Sequence, residues 1–156
     1  MTAMQLQKLV YYSQAWAVAS DLGSLFPETT KAWANGPVVP ELWHRTTGAF
    51  TLTSEMLAGD TAALTVAQRE HVDRVVGYYG EYSADYLSQM THAEVPWKAA
   101  RESGERAGDH SPAISIEAMR AFYAGKTPRE AEDDFQVAVA MHIMDRYKGA
   151  LEVLAR

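Results

Sequence analysis

A mainly α-helical single domain is what this sequence predicts: six or seven helices around one buried central helix, with at most a minimal β-hairpin. Three observations predict it. Apolar residues recur at helical spacing in nearly every segment that is not a turn. Helix-start signals precede those segments again and again. Runs of alternating apolar and polar residues are almost absent. At 156 residues and 47% apolar content the chain matches one domain. A chain of this length buries roughly 68–70% of its unfolded surface without disulfide or metal support. It has no cysteine, which excludes disulfides and thiolate metal sites.

The first helix starts after Thr2, which has capping-box spacing to Gln5. Leu6, Leu9, Val10, Ser13, Trp16 and Ala17 share one face, and Met4, Tyr11, Ala15, Val18 and Leu22 nearly the opposite one. A helix apolar on two sides is covered on both, so it takes the centre. Gly23 suits the left-handed residue past its end. The span 25–34 is irregular, with room for a short extended piece. Asn35-Gly36-Pro37 is a turn, and Pro40 opens a short helix through Trp43 and Arg45. The span 46–60 reads as a loop with a helical turn at 54–57.

Thr65 and Gln68 form a second capping-box match, followed by a stripe of Gln68, Val72, Val75, Val76 and Tyr79. Ser83 caps a helix carrying Tyr86, Leu87 and Met90. Thr91 and Glu94 read as another capping box before Pro96-Trp97. The polar span 103–112 reads as a surface loop. Ser115 caps a helix with Ile116, Met119 and Tyr123, closed by Gly125. Thr127-Pro128-Arg129-Glu130 is the best start signal in the chain. It opens a helix that runs to the C-terminus, with Ala140, Ile143, Met144, Tyr147, Leu151 and Leu154 on a broad apolar stripe.

Chemistry-bearing patterns are missing. The five histidines, His44, His71, His92, His110 and His142, show no i, i+4 pair and no metal-ligand motif. The acids Glu130, Glu132, Asp133 and Asp134 sit at a helix start, where they complement the dipole. Adjacent helical residues diverge by about 100°, so these acids do not converge as an acid–base pair. No nucleophile elbow and no phosphate loop occurs. No catalytic residue, metal site or cofactor is therefore expected. The net charge of −6 disfavours non-specific nucleic-acid binding. No stretch is apolar enough for a signal peptide or a membrane span.

Aromatic residues are plentiful. Trp16 reads as core. Trp33 and Trp43 flank the bend, where rigid amphipathic rings also serve as interface anchors. The expected contact residues are Trp33, Asn35, Gly36, Pro37, Pro40, Glu41 and Trp43, with Tyr147 and Leu151 on the last helix as the second candidate surface.

Several segments together resemble the Panacea domain, a mobile-element family of antitoxins. They are Leu6-Gln7-Lys8-Leu9-Val10-Tyr11-Tyr12, Gln14-Ala15-Trp16, Ala32-Trp33, Asn35-Gly36-Pro37-Val38-Val39-Pro40-Glu41-Leu42, Pro96-Trp97 and the span 114–122. The resemblance covers Thr2 to Tyr123. It implies a Panacea-like domain over 1–125; the long C-terminal helix over 126–156 is expected as an addition to the family domain, packed on it. It further implies a cytoplasmic, often prophage-borne antitoxin in phage defence. Such a protein binds a cognate toxin encoded beside it and blocks it by direct contact, without enzymatic activity. Homo-oligomer formation is compatible with this. The alternatives are a DNA-binding autoregulator of a toxin–antitoxin operon and an enzyme whose site no motif shows. The first needs a basic recognition helix, and the richest stretch, Arg69 to Arg74, interleaves its two arginines with Glu70 and Asp73.

Overall fold

The structure is a computed structural model that describes residues 1–154, for 150, 151 and 154 the backbone only. The fold is mainly α, with one two-stranded hairpin. In order, the elements are α1 (Ala3–Val18), β1 (Lys31–Trp33), β2 (Gly36–Val38), α2 (Pro40–Thr46), α3 (Ser54–Leu57), a 3₁₀ turn (Thr61–Ala63), α4 (Val66–Tyr79), α5 (Ala84–Ala93), α6 (Val95–Ala107), α7 (Ile116–Tyr123) and α8 (Pro128–Leu154). The helix count among the described residues is eight, because the single turn at Ser54–Leu57 stands as α3. The chain divides into two compact units, Met1–Gly125 and Lys126–Arg156.

Within the first unit α1 is the axle. It touches α2, α4, α5, α7 and β2, and every residue from Tyr11 to Val18 is buried. Both apolar faces predicted for it are therefore used. Tyr12 lies flat on Tyr79 of α4, with centroids 4.2 Å apart and planes 6° from parallel. Trp16 meets the edge of Tyr123 from α7 at 4.7 Å, and its Nε1 donates to the Tyr79 hydroxyl at 3.1 Å. Such ring pairs add about 0.5–1.5 kcal/mol beyond area burial.

Start signals translate well into caps. Thr65 and Gln68 close a full capping box on α4, Ser83 caps α5 and Ser115 caps α7. Thr127 and Glu130 exchange bonds at the head of α8. Thr2 caps α1 by accepting from the Gln5 N–H at 3.1 Å. The Gln5 side chain does not reach back, however. It donates to Gly80 O and Tyr82 O across the fold, because two part-buried carbonyls offer more than one cap.

Three local readings are corrected. Thr91 is no cap: it sits inside α5 and its Oγ1 donates to Ser88 O at 2.8 Å. The buried face of α4 is His71, Val75 and Tyr79; of the predicted stripe Val75 and Tyr79 are buried and Gln68 and Val72 half-buried, but Val76 is exposed. The span 103–112 is not all loop, since α6 continues to Ala107. It ends in a Schellman motif: Gly108 is left-handed at φ +69°, Asp109 N–H donates to Gly104 O at 2.8 Å and Gly108 N–H to Glu105 O at 3.3 Å. Gly104 is small for a reason, since a Cβ there would lie 2.7 Å from the Cγ of the returning Pro112.

Candidate contact groove

Three polar residues of α1 point into the protein instead of out of it. Gln7 clamps the backbone of Val39 from both sides, accepting from its N–H at 2.8 Å and donating to its carbonyl at 3.3 Å. Lys8 donates from Nζ to Pro37 O at 3.1 Å. Gln14 accepts from Leu25 N–H at 2.7 Å and donates to Phe26 O at 3.1 Å. Side-chain amides satisfy backbone groups that a short irregular loop leaves open. The segment Leu6 to Trp16 is thus an axle with three arms, and the arms hold the hairpin and the two loops around it.

The hairpin itself pairs Lys31 with Val38, Ala32 with Pro37 and Trp33 with Gly36. Its outer edge is covered, since Ala32 N–H donates to Pro112 O at 2.8 Å and Ile114 N–H to Thr30 O at 2.9 Å. Covering an edge removes a free strand that other chains could pair with. Trp97 Nε1 donates to Trp33 O at 2.9 Å, and Arg101 donates to Ala32 O at 3.2 Å. Trp33 Nε1 in turn donates to Ser111 Oγ at 2.8 Å. The strand is therefore bonded from three directions.

Against this frame the predicted contact residues separate into two groups. Gly36 and Pro37 are buried, so the bend does not project outward as a whole. Asn35 is exposed, and its carbonyl accepts from Ser88 Oγ at 2.8 Å. Pro40 is half-buried at the start of α2, and Glu41 is exposed beside it. Trp33 is half-buried. Trp43 is 36% exposed and meets Trp33 edge to face at 6.0 Å. The two rings stand over a groove of about 230 Å³ lined by Met4, Gln7, Lys8, Asn35 and Val38. Tyr147 is exposed on α8, and the Leu151 side chain lies outside the described residues.

The first unit also holds a buried polar cluster that the sequence does not announce. Glu94, at the junction of α5 and α6, is buried and accepts from the Tyr12 hydroxyl at 3.0 Å. It also accepts from the Tyr123 hydroxyl in a short bond. Burial, then the facing Glu94 carboxylate, push the Tyr12 and Tyr123 hydroxyls well above their ordinary range, and that of Tyr11 likewise. His92 lies on Trp97 with centroids 4.2 Å apart. Its Nε2 is buried with no hydrogen-bond partner among the described residues, and its pKa is lowered, first by burial and then by the Lys8 charge. A local signal for Glu94 exists only in hindsight: it occupies the junction between two helices, where a side chain can turn inward.

Lys8 supplies a pH prediction. It is 1% exposed, and burial lowers its pKa from 10.5 to about 8. Between those values the unfolded chain holds a proton that the folded chain lacks, so stability rises with pH across that window. The tyrosines act in the opposite sense: their folded pKa values lie above the ordinary 10.0, so their contribution is complete below that pH and is lost above it. We expect unfolding free energy to climb by about 2 kcal/mol between about pH 7.5 and 9.5 and to fall beyond about pH 10. Urea titrations of the native chain and of Lys8→Met measure this. The same climb in the variant would remove Lys8 as its cause.

Fold and groove together define a mainly α domain that carries an aromatic face on a braced hairpin. The family model for the SocA-like antitoxin Panacea domain matches residues 6–98, more than half of the chain, and the chain belongs to that family. No curated protein and no solved structure matches it. Among the described residues no group of three or more His, Asp or Glu side chains could hold a metal ion, and no helix is long and apolar enough to cross a membrane.

Proposed function

We propose that this protein is an antitoxin that neutralises a cognate toxin, encoded beside it, by direct protein–protein contact and without a catalytic step. Family membership supports the antitoxin role. The observation that carries the contact reading is the Trp33–Trp43 pair over the apolar groove. Binding energy concentrates in rigid aromatic anchors set in pockets, and a frame already fixed by Gln7 and Lys8 loses little entropy on association. A cytoplasmic, prophage-encoded setting in phage defence accords with that role.

Co-expression with the neighbouring toxin tests it. Trp43→Ala should weaken the complex by about 2 kcal/mol or more, roughly thirtyfold in Kd, with the helical circular dichroism unchanged. Calorimetry reads the affinity. If Trp43→Ala unfolds the domain, the ring belongs to the core. If it folds and binds normally while Tyr147→Ala or Leu151→Asp abolishes binding, α8 carries the contact instead.

A further inference from the structure

The groove at Trp33 and Trp43 holds one half of an ion pair. Lys8 is the one charged residue in its lining, and no acid lines it. The Lys8 ammonium carries three N–H donors. Among the described residues it uses one, on the neutral carbonyl of Pro37, and it forms no ion pair. A buried cation is costly unless a counter-charge faces it. None does. Burial alone lowers the Lys8 pKa, with no acid raising it. On α5 stands His92, whose charged form burial and the Lys8 charge both disfavour, and Arg101 of α6, acting on the same ring, has the sign of Lys8. Glu94 is turned to Tyr12 and Tyr123.

The groove's other polar groups point to the same chemistry. Gln7 commits both ends of its amide to Val39, and Trp33 commits its indole N–H to Ser111. The Trp43 indole N–H and the Asn35 side-chain amide make no hydrogen bond among the described residues. What the lining still offers is thus an ammonium, an indole N–H and an amide, a set rich in donors. We propose that this groove takes an acidic side chain, Asp or Glu, of the toxin, with its carboxylate paired to Lys8 beside the two indole rings. The inference rests on the antitoxin reading and gives it a chemical rule. A carboxylate answers the ammonium with charge and accepts from the remaining donors. The apolar walls exclude water and strengthen the pair. The net charge of −6 does not attract an acidic partner from afar, so the groove itself makes the selection.

Two probe peptides test this on the full native chain without the toxin: acetyl-Leu-Glu-Leu-amide and its isostere acetyl-Leu-Gln-Leu-amide. Nuclear magnetic resonance follows the indole N–H signals of Trp33 and Trp43, assigned with Trp→Phe variants. The Glu peptide should shift both signals and bind about tenfold more tightly than the Gln peptide. Its affinity should fall about tenfold or more between about pH 7 and 9.5, as Lys8 loses its proton near pH 8, while that of the Gln peptide stays level. Lys8→Met keeps the stem and should bind the two peptides alike. Equal binding of the peptides to the native chain overturns the proposal, as does silence of both. A preference for Glu that is undiminished at about pH 9.5, or that persists in Lys8→Met, also overturns it. The native-chain comparisons hold whether or not Lys8→Met folds. A toxin bound equally well by the native and Lys8→Met chains overturns this inference alone. A neighbouring gene product that fails to bind, while the Glu peptide passes every test, overturns the antitoxin reading and leaves the groove an acceptor of acidic side chains.

Discussion

Gly36→Val should cost the domain about 3–5 kcal/mol, lowering its melting temperature by about 10 °C. Two independent effects add. Gly36 has φ +107°, a backbone conformation that a β-branched residue adopts only under strain. A Cβ at this position would also lie 2.7 Å from Lys8 Cε, 2.9 Å from Lys8 Nζ and 2.9 Å from Thr91 Oγ1. Lys8 cannot swing away freely, because its Nζ is bonded to Pro37 O and the chain around it is buried. The control is His110→Ala. His110 is exposed, and such substitutions usually move stability by less than about 0.5 kcal/mol. Scanning calorimetry of both variants decides the matter: equal melting temperatures would show that the bend is not constrained in this way.

Glu94→Ala should be comparably harmful, at about 3–5 kcal/mol. The carboxylate is the common acceptor for two buried tyrosines, one from the central helix and one from α7. Removing it strands two hydroxyl donors where water does not reach, and leaves a cavity. Glu94→Gln keeps the shape and one acceptor oxygen, so it should recover most of the loss. Tyr12→Phe or Tyr123→Phe each removes one donor cleanly, and either should cost less in the Glu94→Ala background than in the native one. Urea unfolding of this double-mutant set measures the coupling. A Glu94→Ala domain as stable as the native one would mean that the cluster is a passenger of the packing.

Neither the approach of Lys8 and Thr91 to Gly36 nor the tyrosine partners of Glu94 are visible locally. Much else was. The opposed apolar faces of Ala3–Val18 demand neighbours on both sides, because apolar surface must leave water whatever covers it. The caps at Thr65, Ser83, Ser115 and Thr127 lie within four residues of the N–H groups they satisfy. Asn35-Gly36-Pro37 specifies a turn through the conformational limits of its own residues. Such features depend on chemistry a few residues wide, so the amino-acid order alone decides them. The same holds for the family assignment, which rests on ordered segments and not on any contact between them.

Long-range polar contacts are another matter. Nothing near Gln7, Lys8 or Gln14 in the chain says that they face inward, since their partners Val39, Pro37, Leu25 and Phe26 arrive from the hairpin and from loops distant in sequence. Gln5 shows the same physics in reverse: its local cap is available, and distant carbonyls win. Glu94 looks like half of a capping box until Tyr12 and Tyr123 approach from two other helices. For the candidate groove, the sequence by itself determined that two tryptophans flank a rigid bend. Only the tertiary structure decided that the glycine and proline of that bend go under while Trp43 remains on the surface, because burial is set by what the neighbouring elements cover and not by the residue's own preference.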